Sequence, residues 1–259
     1  MSLKVNVNRL RLLLSKSLFY IFIPLSLMAM NPANPPGPDP YVQMYNQYTA
    51  DYNGIDQGTN ILLGDYNDGL LDSFQAMYNG AHQAYSWAWH HNRLAQVNVN
   101  KSNLISDRII SIAGRIATFA ANAQARAQAG QAIPGDQNIL NALNQANNIR
   151  QQAQDAVNRA RIAANRSQTV MQNANNRRNQ ILQRINQLNL PILHIGYTAA
   201  DIQNCNQDLT NIPTSFRQAN QFAREARDYA AQVHVEVANL DQLMQDIRQE
   251  GNNIGIALP

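Results

Sequence analysis

The 259-residue sequence is poor in the residue types that most often perform catalysis or form cross-links. Its one cysteine, Cys205, cannot form a disulfide within the chain, and we interpret it as a small buried hydrophobe or, second, as an intermolecular link. Glutamate occurs only at Glu225, Glu236 and Glu250, so paired-carboxylate acid–base catalysis has no evident location. The sequence contains neither a Gly-x-x-x-x-Gly-Lys phosphate loop nor a His-Glu-x-x-His zinc motif. We therefore predict that the protein is not an enzyme and that it uses no metal or cofactor.

A long uninterrupted apolar run is also missing, because the most apolar stretch, from Ser17 to Met30, is 14 residues long. A membrane-spanning helix needs about 20 apolar residues, whereas the core of a signal peptide needs roughly 7 to 15. A Pro-rich segment follows the stretch, and four cations precede it: Lys4, Arg9, Arg11 and Lys16. We predict a signal peptide over residues 1–29, cleaved after Ala29, and hence a periplasmic or secreted protein. The alternatives are a membrane anchor formed by residues 17–30, a buried helix, and a cytosolic protein that starts at Met30.

Charged residues are scarce, at 14 % of the chain, and the excess of positive charge depends on the predicted signal peptide. The full chain has 20 Lys and Arg against 17 Asp and Glu, so removal of the four N-terminal cations leaves 16 − 17 = −1. A nearly neutral mature protein argues against nucleic-acid binding. The arginines between residues 136 and 190 lack the lysines and aromatics of a nucleic-acid surface, and we interpret them as a solvated or internally paired face.

Helical periodicity is abundant, and it predicts an all-α fold, an elongated bundle of long antiparallel helices. Residues 30–39 form a Pro-rich linker, and residues 40–131 form an N-terminal helical region that is rich in Tyr and Trp. Asp39 followed by Pro40 is a typical helix start, and four tyrosines then share one helical face: Tyr41, Tyr45, Tyr48 and Tyr52. The stretch 53–69, rich in Gly and Asn, is expected to interrupt this helix.

Two further helices are expected in the same region. The first runs to about residue 96 and has an apolar stripe that includes Tyr85 and Trp89. The second covers residues 103–129, and its apolar positions repeat every seven residues: Ile105, Ile112 and Phe119, with Ile109, Ile116 and Ala123 offset by four.

The strongest pattern is the seven-residue repeat that predicts a coiled-coil-like hairpin, about 136–188 with 212–250, within a unit over 136–250. Asp136 is expected to cap its first helix, after Pro134 and Gly135. The first seam runs through Ile139, Ala146, Ala153, Ala160, Ser167, Ala174, Ile181 and Leu188, with Ala142, Ile149, Ala156, Ala163 and Val170 alongside until Arg177 and Arg184. The second runs through Ile212, Ala219, Ala226, Val233, Leu240 and Ile247, with Phe216, Ala223, Ala230, Val237 and Met244 alongside. The first helix has seven Arg against two Asp, and residues 213–250 have four Arg against six acids, so we expect antiparallel pairing of opposite charge.

Segment 77–93 concentrates aromatic residues and three of the five histidines. His82 and His90 are eight residues apart with no Glu nearby, which is not the spacing of a metal site. We interpret the segment mainly as an aromatic helix that packs on the N-terminal tyrosines. Trp87, His90 and His91 fall partly off its apolar stripe and are candidate contacts for a protein partner. Stretches 51–56 and 64–72 lack the ligand spacing of a calcium loop and are interpreted as turns.

The connection 188–197 is unusually apolar for a loop. We expect it to fold back on the bundle, and the alternative is a tip that contacts a partner or a membrane. Its candidate contact residues are Leu190, Ile192, Leu193, Ile195 and Tyr197. Gly251 is a predicted C-cap, and the tail that follows it, within residues 251–259, is expected either to fold back on the bundle or to contact a partner or a membrane.

These features predict an exported, non-enzymatic helical-bundle protein with a structural or protein-interaction role; its protein partner is unidentified, and a homo-oligomer stays open. In its order of signal peptide, Pro-rich linker and amide-rich long helices, the chain resembles the minor pilus subunits of conjugative secretion systems. That resemblance is one of architecture, and it implies a place in a cell-envelope or secretion assembly. The alternative is a helical membrane-perturbing or pore-forming secreted protein, which would use the apolar segments 105–121 or 190–197.

Overall fold

The computed structural model describes residues 39–63, 74–187 and 199–256, with the side chains of 56–63, 74–76, 199–206 and 209 outside that description. Four α-helices fill nearly all of these ranges: α1 (Pro40–Leu63), α2 (Phe74–Gln128), α3 (Asp136–Gln187) and α4 (Ala199–Asn253). No β-strand occurs in the ranges described. The predicted all-α bundle is confirmed. The predicted signal peptide and the connection 188–197 lie outside the described residues.

The helices α2, α3 and α4 pack on one another, and α3 is antiparallel to both of its neighbours. Its direction relative to α4 follows from two contacts: Arg159 binds Glu236, whereas Arg184, later in α3, lies 3.6 Å from Asp208, earlier in α4. The short connection 129–135 reverses the chain between α2 and α3. The first helix, α1, lies along the groove between α2 and α4.

The seven-residue repeats of α3 and α4 face the interior, as predicted. The buried positions on α3 are Ala142, Ala146, Ile149, Ala153, Ala156, Ala160, Ala163, Ser167, Val170, Ala174 and Ile181, and Ile139 is half-buried. The buried positions on α4 are Ile212, Phe216, Ala219, Ala223, Ala226, Ala230, Val233, Val237, Leu240, Met244 and Ile247. Because most α3 positions are alanine, each layer brings the backbones close but buries little apolar area.

The second helix, α2, is continuous, so the predicted division between residues 96 and 103 is wrong. Asn and Val residues in this stretch have modest helix propensity, but tertiary packing outweighs that preference. Asn98 and Ser102 are buried, and Lys101 donates a hydrogen bond to Thr49 of α1 over 3.1 Å. Further along α2, Phe119 is exposed although the repeat had placed it in the core, whereas the four isoleucines at 105, 109, 112 and 116 are buried as expected.

The first helix, α1, begins as predicted and ends later than predicted. The backbone N–H of Tyr41 donates to the Asp39 carboxylate over 3.0 Å, which is the expected N-cap. The helix continues to Leu63 instead of stopping near residue 53. Ile55 packs against a core cluster that contains Leu94, and this contact holds the later part of α1 on the bundle.

Left-handed glycines end α2 and α4. Gly130 has φ +68° and Gly255 has φ +76°, a conformation that costs glycine little. After α4, the N–H of Ile256 donates to the carbonyl of Gly251 over 3.0 Å, as in a Schellman motif. The helix therefore continues past Gly251, which is not the cap. Ile256 is buried in the core, so the described part of the tail folds back on the bundle.

Candidate interaction surface

The aromatic segment of α2 places two of its predicted contact residues inside the bundle. Trp87 and His91 are each 7 % exposed, and their ring centroids are 5.2 Å apart. The guanidinium of Arg227, on α4, lies 6.0 Å from the Trp87 ring. Burial, and second the charge of Arg227, lowers the pKa of His91 to about 4, so this imidazole is neutral near pH 7. The predicted surface position of Trp87 and His91 is therefore wrong, since both belong to the packed interior.

The other side of the same turn carries a small exposed aromatic surface. Trp89 lies two residues after Trp87, about 200° further round the helix, and is 39 % exposed although its spacing had placed it in the buried stripe. The His90 ring meets the Trp89 ring edge-on at 5.0 Å, and the Arg93 guanidinium lies 4.8 Å from the Trp89 ring. Burial, followed by the charge of Arg93, lowers the pKa of His90. We call Trp89, His90 and Arg93 the Trp89 patch. His90 is the one predicted α2 contact that belongs to it.

A second exposed apolar surface lies between α3 and α4. Ile162 on α3 is 52 % exposed and Val235 on α4 is 56 % exposed, and both line a groove of about 340 Å³. The bidentate pair of Arg159 with Glu236, at 2.7 and 2.9 Å, forms part of the same groove, and Arg166 adds a second cation. We call this surface the α3–α4 groove. It combines exposed aliphatic side chains with a charged rim, which is a common composition for a protein-binding surface.

A larger groove, of about 610 Å³, lies between the end of α3 and the N-terminal half of α4. Its lining is mostly amide and hydroxyl side chains together with Arg177 and Arg184. Arg184 faces Asp208 of α4, which agrees with the interpretation of these arginines as a partly internally paired face. Arg177 instead donates to Gln180 on its own helix over 2.8 Å.

The remaining predicted contact residues cannot be placed on this surface. The residues of the apolar connection lie outside the described residues: Leu190, Ile192, Leu193, Ile195 and Tyr197. The side chain of Cys205 does as well, although its backbone belongs to α4.

Within the described ranges, no three His, Cys, Asp or Glu side chains come together as metal ligands would. None of the described helices is long and apolar enough to span a membrane. No protein-family model, curated protein or solved structure matches this chain.

Proposed function

We propose that the chain is an exported, non-enzymatic helical-bundle protein with a structural or protein-interaction role in a cell-envelope or secretion assembly. The observation that carries the interaction role is the α3–α4 groove, where Ile162 and Val235 expose more than half of their surface beside Arg166. A partner that covers these side chains removes apolar surface from water, and the charged rim orients it.

Site-specific photo-crosslinking in the native host tests the interaction role. A photo-reactive residue at Val235 is expected to give a discrete adduct with one protein, and Ile162→Asp, across the groove, is expected to weaken that adduct several-fold. Because Ile162 is half exposed, this substitution leaves the core intact. The matched control is the same photo-reactive residue at Asn147, an exposed α3 position about four turns before Ile162. The same adducts at both positions, or none at Val235, would contradict the proposal.

Export is supported by the sequence: four cations, a 14-residue apolar run and a Pro-rich segment follow one another in residues 1–38. Fractionation of the native host, followed by N-terminal sequencing, tests this part of the proposal independently. We expect a chain that begins at Met30 in the periplasmic or extracellular fraction. A cytosolic chain that begins at Met1 or at Met30 would contradict export.

A further inference from the structure

Four arginines of α3 lie in a row along the side that faces α4. We define the arginine row as Arg159, Arg166, Arg177 and Arg184. Successive members are seven, eleven and seven residues apart, which is about two, three and two helical turns, so all four lie on one face of α3. Arg159 and Arg166 line the α3–α4 groove, and Arg177 and Arg184 line the larger groove between the same two helices. The arginine row therefore forms the α3 edge of both grooves.

The two ends of the arginine row face carboxylates of α4. Arg159 donates two hydrogen bonds to Glu236, at 2.7 and 2.9 Å, and Arg184 Nε lies 3.6 Å from the carboxylate of Asp208. The two arginine side chains are about half exposed, whereas the two acids are largely buried. Arginines at these positions of α3 thus reach acids on the helix that lies beside them.

The two arginines in the middle of the row lack such a partner. Within the described ranges Arg166 forms no ion pair, and Arg177 donates to the amide oxygen of Gln180 instead of to a carboxylate. The α4 side chains that line the larger groove with Arg177 are all neutral: Asn211, Ile212, Thr214, Ser215 and Gln218. Two positive charges, eleven residues apart, are therefore available to acids of another molecule.

The spacing of these two arginines indicates which shape of partner can reach both. Eleven residues of α3 correspond to a rise of about 16.5 Å. In a helix that lies along the groove, acids eleven residues apart cover the same rise and share one face. In an extended strand about five residues cover this rise, and side chains five residues apart point to opposite faces. A helix therefore places both acids on the arginines, whereas a regular strand places only one.

An exposed apolar contact adjoins the row. Ile162 lies one turn before Arg166, and Ile162 and Val235 are 52 % and 56 % exposed. We propose that the arginine row docks an acidic amphipathic helix of a partner protein, with carboxylates eleven residues apart on Arg166 and Arg177 and apolar side chains on Ile162 and Val235. The unpaired charges favour an acidic partner, and the apolar contact favours a helix over a sulfated glycan, which has no apolar face to offer. This inference names the chemistry of the partner within the interaction role proposed above and rests on that role.

Binding of a synthetic peptide to the purified full chain tests this chemistry. The probe is an alanine-rich helical peptide of about 20 residues, with two glutamates eleven residues apart and leucines one turn from the first glutamate. In the control peptide the second glutamate is moved by two residues, to the opposite side of the helix. We expect fluorescence anisotropy to show tighter binding of the first peptide and a loss of its affinity with added salt. Equal binding of the two peptides would overturn the inference, as would binding of a sulfated glycan without binding of the first peptide.

Neutral substitutions in the arginine row provide the second measurement. Arg166→Gln and Arg177→Gln each remove one of the two available charges, and each is expected to weaken binding of the first peptide by about 1.4- to 5-fold, the factor for an exposed ion pair. The matched control is Arg150→Gln, the same change at an exposed position on the opposite side of α3, which is expected to leave the affinity unchanged. An equal effect of Arg150→Gln would overturn the inference, because net charge alone would then account for binding.

The same variants separate this inference from the proposed function. If the Val235 adduct forms in the host and neither Arg166→Gln nor Arg177→Gln weakens it, the interaction role stands and the partner is not an acidic helix on this row. If the peptide binds as expected but no adduct forms at Val235 in the host, the chemistry of the arginine row stands and the interaction role proposed for the α3–α4 groove fails.

Discussion

Replacement of Ile109 by alanine tests which face of α2 is turned toward the bundle interior. The burial or exposure of the other α2 side chains depends on the same orientation. Ile109 is 0 % exposed and belongs to a core cluster with Ala153 of α3 and Leu240 of α4. The substitution removes three carbon atoms, worth about 2.4 kcal/mol at about 0.8 kcal/mol each. The cavity left among close-packed neighbours adds about 1 kcal/mol, and the better helix propensity of alanine returns about 0.4 kcal/mol. We therefore expect a loss of about 3 kcal/mol in the free energy of unfolding.

The adjacent residue provides the matched control, because Ile110 is 37 % exposed on the same helix. Ile110→Ala removes the same atoms from a site open to water, which leaves no enclosed cavity, and we expect a loss of about 1 kcal/mol. Urea titration followed by circular dichroism at the helical minimum measures both values. In thermal melts the difference corresponds to a fall of roughly 6–12 °C for Ile109→Ala against 2–4 °C for Ile110→Ala. Equal losses, or a larger loss at Ile110, would refute this rotation of α2.

Three further predictions concern charge and protonation. Burial lowers the pKa of His91 to about 4, below the ordinary value of about 6.5 for histidine. Between pH 6.5 and pH 4 this imidazole is therefore protonated in the unfolded chain but neutral in the folded one. The free energy of unfolding is expected to fall by up to about 3 kcal/mol as the pH is lowered across this range. His91→Asn should flatten that part of the stability curve in urea titrations at each pH, and an unchanged slope would contradict the placement of this ring. A double-mutant cycle of Arg159→Gln and Glu236→Gln should give a coupling free energy of about 0.5–1 kcal/mol. This coupling free energy should decrease with added salt, because the arginine side chain is largely exposed. A coupling that does not change with salt would contradict that exposure. The pKa of Asp136 is lowered first by the hydrogen bond from the Arg126 guanidinium and second by that from the N–H of Ile133, so the contribution of this carboxylate to stability is lost as the pH falls through the lowered pKa. Asp136→Ala should lower the melting temperature at pH 7 and reduce the dependence of the melting temperature on acid, and an unchanged melting temperature would contradict these hydrogen bonds.

The seams of α3 and α4 were predictable from the sequence because both helices carry one dominant apolar stripe. The α3 residues outside the apolar stripe are mostly Asn, Gln and Arg, so this helix has a single face that can be buried. The opposite charge bias of the two helices favoured their pairing, and Arg159 binds Glu236 across it, but a charge bias of this kind does not by itself fix the antiparallel direction.

Which face of α2 is buried near Trp87 was harder to predict, because that face is built largely from small residues. Ala84 and Ala88 are fully buried with Trp87, but alanine also occurs on exposed faces, so the larger side chains at 85 and 89 dominated the expected stripe. Residues 97–102 continue the helix although their local propensity is modest, and the burial of Asn98 and Ser102 and the contacts of Lys101 with α1 are tertiary interactions that local propensity does not contain.

Small residues also surround the buried side of the aromatic segment. At this end of the bundle α3 and α4 contribute buried alanines, among them Ala174, Ala219 and Ala223. Trp87 packs with these alanines and with Phe216 in one core cluster, and this packing accounts for its position inside the bundle. The α3–α4 groove, by contrast, has exposed aliphatic side chains that packing within the described residues does not explain, and the search for partners proposed above therefore begins there.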